Sequence, residues 1–192
     1  ANNPDMVAFM GFEWSQIGNT SDDHYGHHNV LFRDTEKELL PARPIGASGL
    51  ATKGLRESSG KKGIAKMLKW LDMGNSSYYQ TLITFLDELR QIPDCAQGIP
   101  SPELPVNCYE TAATPGELYD KLDEWGVDSL VVPHGSSWGI YTPPGSSWDH
   151  QLTKENHDPK RGRLIEVYSG HGNSENYRNF QPRAFDAQGK VY

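Results

Sequence analysis

The chain has 192 residues, enough to bury one substantial core; only 36% are hydrophobic, and 19 Gly with 13 Pro predict many loops. A formal net charge of -7 withholds the basic footprint that general nucleic-acid binding needs. No apolar run approaches the roughly 18 residues of a spanning helix, so nothing is expected to cross a membrane.

The chain opens on Ala1, without Met or a signal peptide, and enters its first expected strand almost at once. That start is expected of an internal piece of a longer polypeptide. Val7, Ala8, Phe9 and Met10 form a short apolar run without helical spacing, which predicts a strand from Met6 covered on both faces. Gly11 lets the backbone turn, and Glu13 follows where that strand runs out, flanked by Phe12 and Trp14. A carboxylate among such neighbours is costly to bury unless a cation or metal offsets it. A polar loop follows over 18–23. His24 and His28 stand four apart, but Gly26 and the strand pattern after it argue against a helical metal pair. His27 lies just before the apolar run Val30, Leu31, Phe32. His28 is assigned to support of a ligand side chain or to substrate contact, with plain solvent exposure as the other reading.

From Arg43 to Gly63 the chain is rich in Gly, Ser and Lys and reads as a long excursion without periodicity. Ile64, Met67, Leu68 and Leu71 predict a short amphipathic helix ending at Gly74. Lys61, Lys62, Lys66 and Lys69 make it locally basic, read as a solvated face ahead of an anionic-substrate contact. Leu82, Phe85, Leu86 and Leu89 carry a packing helix from about Ser76 to before Pro93. Cys95 and Cys108 bracket a Pro-rich loop and can form a disulfide, with two buried thiols as the alternative; without CxxC pairs they make no zinc site.

Thr114-Pro115-Gly116-Glu117 is a capping box with Pro at the first helical position. Leu118, Leu122 and Trp125 share one face of the helix, Gly126 closes it, and a strand over Val127–Val132 delivers His134 at its exit. This helix-to-strand step is an α/β unit, and in parallel α/β architectures ligands gather at the carboxyl ends of strands. Glu13, His27 and His134 are therefore the candidate ligands of one metal ion, against a structural polar cluster. Trp138 and Tyr141 are candidate pocket-lining residues, or packing aromatics. Asp149, His150, His157 and Asp158 read as surface. A last strand is expected over Arg163–Tyr168, emptying into Gly170-His171-Gly172. There His171 either faces the same cavity as proton donor or phosphate contact, or is an exposed loop residue.

Gly-Phe-Glu-Trp, His-x-Asn-Val-Leu-Phe-Arg-Asp, Val-Pro-His, and Ile-Glu-Val-Tyr with Gly-Asn-Ser-Glu, in that order, resemble the domain of unknown function 3604 family. That family belongs to the PHP (polymerase and histidinol phosphatase) superfamily of metal-dependent phosphoesterases. The likeness covers Met6 to Asp34 and Thr114 to Glu175, and implies that residues 35–113 are an insertion of loop and helix within a single partial domain. It implies part of a distorted (β/α)7 barrel with two or three metals at the strand carboxyl ends. The bridging Glu falls on Glu13, and the two following His ligands on His27 and His134. The superfamily's opening His-x-His and closing Asp-x-His are missing; in a longer polypeptide they would lie before Ala1 and after Tyr192. Otherwise one metal position survives. The loop after His134 reads Gly-Ser-Ser-Trp-Gly, where Asn- and Ser-rich loops are expected, which implies a different substrate choice.

The resemblance implies metal-assisted hydrolysis of a small-molecule phosphoester, with Zn, Mn or Fe bridged by Glu13 and with His28 or His171 protonating the leaving group. The alternatives are a metal-stabilised binding or structural module without turnover, and hydrolysis of another ester or an amide. The cysteine pair and the family likeness together suggest a periplasmic or secreted protein.

Overall fold

The computed structural model describes residues 7–57, 59–139, 142–170 and 172–174, with the backbone alone at 51 and 59–62. These residues form a mixed α/β fold of four α-helices and three small sheets. The central sheet has the order β1 (Gly11–Gln16), β2 (Gly26–Phe32), β5 (Ser129–His134), and both pairings are antiparallel. Period-two alternation divides its side chains. Phe12, Trp14 and Gln16 of β1, His28, Val30 and Phe32 of β2, and Val131 of β5 turn toward the core. Glu13, Ser15, His27, Asn29 and His134 turn the other way.

Helix α4 (Pro115–Glu124) covers the core face with Leu118 and Leu122, both fully buried, and Trp14, Val30, Ile45 and Val131 pack with them. Each such side chain contributes about 1.5–3 kcal/mol by leaving water. Thr114 caps α4: its Oγ1 accepts from the Glu117 amide at 3.2 Å, while the Glu117 carboxylate accepts from the Ala113 amide at 2.7 Å. Trp14 Nε1 donates to Ala112 O at 3.3 Å, tying the sheet to the short parallel pair β3 (Gly46–Ala47) and β4 (Thr111–Ala112). Between that pair the chain builds α1 (Leu50–Glu57), α2 (Ser59–Leu71) and α3 (Ser76–Gln91). Cys95 and Cys108 are bonded as a disulfide. A third, antiparallel sheet holds β6 (Trp138–Gly139), β7 (Tyr168–Ser169) and β8 (Gly172–Asn173).

Several expectations are corrected. The sheet that carries the site is antiparallel, and no closed barrel exists among the described residues. The apolar run before Gly11 is not a covered strand: Val7, Phe9 and Met10 are exposed, and Met6 lies outside the described residues. The reason is length. The partner strand β2 stops at Phe32, whose amide bonds to Met10 O at 2.9 Å, so the residues before Met10 overshoot it. Residues 43–63 are not an aperiodic excursion but contain α1 and the start of α2, held against α3 despite Gly54, Gly60 and Gly63. The strand expected over Arg163–Tyr168 forms at Tyr168 alone, the start of β7; residues 163–167 carry isolated bonds, Glu166 N to Pro133 O and Ser174 N to Val167 O. Leu164, Ile165 and Val167 stay exposed because no strand pairs along their length. The strand expected at 127–132 is shifted to Ser129–His134, so His134 ends the strand rather than following it.

Candidate metal centre

Cross-strand register brings the three candidate ligands together. Ser15 stands opposite His27, and His27 opposite His134, across adjacent ladders. Glu13, two residues before Ser15, is the diagonal neighbour of His27 on the same face. The result is a row of ligands running across three strands, where strand exits in a parallel sheet were expected.

Two glycines permit this close approach. Gly26 has φ +71°, and a Cβ there would lie 3.0 Å from His134 O and 3.1 Å from Gly135 O. Gly135, with φ +59°, lets the chain turn away directly after His134.

Candidate ligand atoms of Glu13, His27 and His134 lie within 4.8 Å of one another. His27 Nδ1 is 2.8 Å from Glu13 Oε1 and 2.8 Å from Ser15 Oγ, and Ser15 Oγ donates to Glu13 Oε1 at 2.6 Å. Both oxygens accept, so Nδ1 carries the proton. The His27 and His134 rings stack with centroids 5.3 Å apart and planes 19° apart. Glu13 is exposed, His27 partly buried and His134 buried, so the cluster opens to solvent on the carboxylate side. Burial by itself pushes the Glu13 carboxyl up; hydrogen bonds from Ser15 and His27 and the nearby imidazoles outweigh it and hold the group below the ordinary value. An anionic carboxylate beside two imidazoles is a donor set suited to Zn, Mn or Fe, so the residues fit one divalent cation.

His28 is not brought to this face. It follows His27 in the strand and therefore points into the core, edge-on to Trp14 with ring centroids 5.1 Å apart. Desolvation by burial, aided by His134 and His27, pushes its pKa down to about 3. A neutral ring behind the sheet cannot pass a proton to a group bound in front of it. His28 instead helps line a separate cleft of about 310 Å³ with Tyr119, Trp148 and Gln151. His171 and Tyr141 lie outside the described residues. Trp138 is an exposed residue of β6. Of the residues read as surface, His150 stacks on Tyr25 with centroids 4.3 Å apart, and Asp158 accepts from Arg161 Nη1 at 2.6 Å.

Two polar residues escaped the sequence reading. Ser15 bridges Glu13 and His27, and the Asn29 amide lies 3.5 Å from His134 Nδ1. The signal was available: each is two residues along a strand from a ligand, hence on its face.

No family model, no curated protein and no solved structure matches this chain. What the sequence and structure define together is a mixed α/β protein with a Glu-His-His cluster that can hold a metal ion.

Proposed function

We propose that this protein is a metal-dependent hydrolase of small phosphoesters. The single observation that carries the reading is the convergence of Glu13, His27 and His134 within 4.8 Å on the open face of the sheet. The choice of phosphoesters over other bonds follows the family resemblance of the sequence motifs.

Glu13, His27 and His134 would hold the cation, which when bound lowers the pKa of a coordinated water and polarises the ester oxygen. Ser15 holds the Glu13 carboxylate and the His27 ring in register through hydrogen bonds of 2.6 and 2.8 Å. Asn29 orients the His134 ring from the same face. Glu13 is anionic at neutral pH like any carboxylate, and its lowered pKa extends that charge to more acidic solution, so it ligates without first losing a proton. Protonation of the leaving group is not assigned to His28, which faces the core. The resemblance also implies a distorted (β/α)7 barrel, and the antiparallel pairing of the three-stranded sheet departs from the parallel strand order of such a barrel. The Cys95–Cys108 disulfide supports an oxidising compartment such as the periplasm or the exterior.

The test pairs elemental analysis of the purified protein with hydrolysis of p-nitrophenyl phosphate and bis-p-nitrophenyl phosphate under added Zn, Mn or Fe. Glu13→Gln or His134→Ala should lower metal content and abolish turnover together. Unchanged stoichiometry in both variants removes the ligand assignment. Stoichiometric metal without turnover of either ester leaves a metal-stabilised binding module.

A further inference from the structure

Helix α2 reads Ser-Gly-Lys-Lys-Gly-Ile-Ala-Lys-Met-Leu-Lys-Trp-Leu: four lysines and no acid, in a chain whose formal net charge is -7. Its apolar residues Ile64, Met67, Leu68 and Leu71 follow the i, i+3, i+4, i+7 spacing of a stripe that usually packs a helix onto its own protein. Here Ile64, Met67 and Leu71 of the stripe face away, while Leu68 is half-buried. The helix rests on α3 by its flank, where Ala65 is buried and Lys69 Nζ donates to Gln80 Oε1 at 2.6 Å. Ile64, Met67 and Leu71 are 56%, 55% and 66% exposed, and Trp70 and Met73 carry the patch to the turn at 82% and 81%. Scattered exposed apolar residues are ordinary; a contiguous row along one helix and its turn marks an interaction surface.

The chemistry selects the occupant, which must be apolar and anionic at once. A second copy docking through the same patch would bring the exposed Lys66 of each copy to one seam. Trp70 stands one helical turn from both Lys66 and Met67, at the seam between charge and apolar stripe, as in helices that lie in a bilayer interface. The nearby acid, Asp72, accepts from Asn75 Nδ2 and the Tyr79 hydroxyl at 2.9 and 3.1 Å and keeps its charge, which the lysines of α2 outnumber. No helix among the described residues is long and apolar enough to cross a membrane, so the contact would be peripheral. We infer that the outward face of the α2–α3 hairpin docks this protein on an anionic lipid bilayer. The inference is independent of the metal centre.

The experiment is flotation of the full chain with vesicles of phosphatidylcholine, with or without about 30% phosphatidylglycerol. Binding should be at least about 10-fold tighter on the anionic vesicles and should weaken as salt is raised. Trp70→Ser with Leu71→Ser should reduce it by at least about 10-fold. Lys66→Gln, a surface change that leaves packing untouched, should reduce it about 5-fold. Failure of the unaltered chain to float, or equal flotation of both variants, overturns the assignment. So does a dimer in sedimentation equilibrium that these substitutions dissolve while vesicle binding stays absent, which would give the patch to a second copy.

Discussion

Glu110 is a buried carboxylate tied to three partners. Arg43 Nη2 lies 2.9 Å from it, Lys121 Nζ 3.2 Å, and Ser101 Oγ donates to it. Arg43, itself buried, also donates to Ser101 O at 2.5 Å and Leu104 O at 3.3 Å. Removing Arg43 leaves the buried Glu110 carboxylate with the more exposed Lys121 as its remaining cation, which costs more than the buried pair contributes. Arg43→Met should lower unfolding free energy by about 3 kcal/mol in urea titrations, and adding Glu110→Leu should recover most of the loss. A double variant as unstable as the sum of the singles would show that the two groups are not coupled. His24 gives a pH prediction. Burial, aided by the neighbouring His27, pushes its pKa down to about 4 from an ordinary 6.5, and both ring nitrogens are buried without partners. The folded state thus binds fewer protons than the unfolded one between these values. Its stabilising effect is complete above pH 6.5 and lost as pH falls toward 4. In chelator-treated protein this residue should contribute a slope of about 1.4 kcal/mol per pH unit in that window. His24→Leu should flatten the measured slope by that amount; an unchanged slope would remove His24 as its source.

At the scale of elements, local chemistry and tertiary packing divide the structure unequally. Helices α3 and α4 were legible because their apolar spacing, Pro93 after one and Thr114-Pro115 before the other are local signals. Helix α1 was hidden: with eight residues and an internal glycine it is too short for its apolar spacing to repeat, and packing against α3 supplies what propensity does not. The apolar residues of 163–167 misled in the opposite direction, since a strand needs a neighbour and these have isolated bonds only. The loop from Cys95 to Cys108 shows what a crosslink adds. It carries the Ser101 and Leu104 carbonyls that Arg43 binds, so the disulfide fixes the frame of the buried charge cluster. With a separation of 13 residues, the bond should stabilise the fold by about 3 kcal/mol. Cys95→Ser with Cys108→Ser, or reduction with dithiothreitol, should lower the thermal midpoint accordingly, and an unmoved midpoint would show that the loop is held by other contacts. Thr114→Ala should cost about 1 kcal/mol by uncapping α4.

For the whole molecule, the central sheet has one face committed to the core and one face bearing Glu13, His27 and His134. A cation bound there links β1, β2 and β5 only when all three are assembled, so it stabilises the folded state selectively. At a free concentration 100-fold above its dissociation constant, the gain is about 2.7 kcal/mol. Chelator-stripped protein should therefore melt higher on addition of Zn or Mn, and His134→Ala should abolish the shift. A shift that persists in the variant would place the binding elsewhere.

The sequence by itself identified the residues of the candidate centre, because a carboxylate between Phe12 and Trp14 and imidazoles beside apolar runs are local anomalies. It also held the capping of α4 and the pairing option of Cys95 with Cys108. Only the tertiary structure decided how the ligands meet: by antiparallel register across one face, with Ser15 and Asn29 supporting them and His28 turned to the core. The physical reason is that side-chain identity is written residue by residue, whereas strand direction, register and the exposed side of α2 depend on which distant segment arrives to pair or pack.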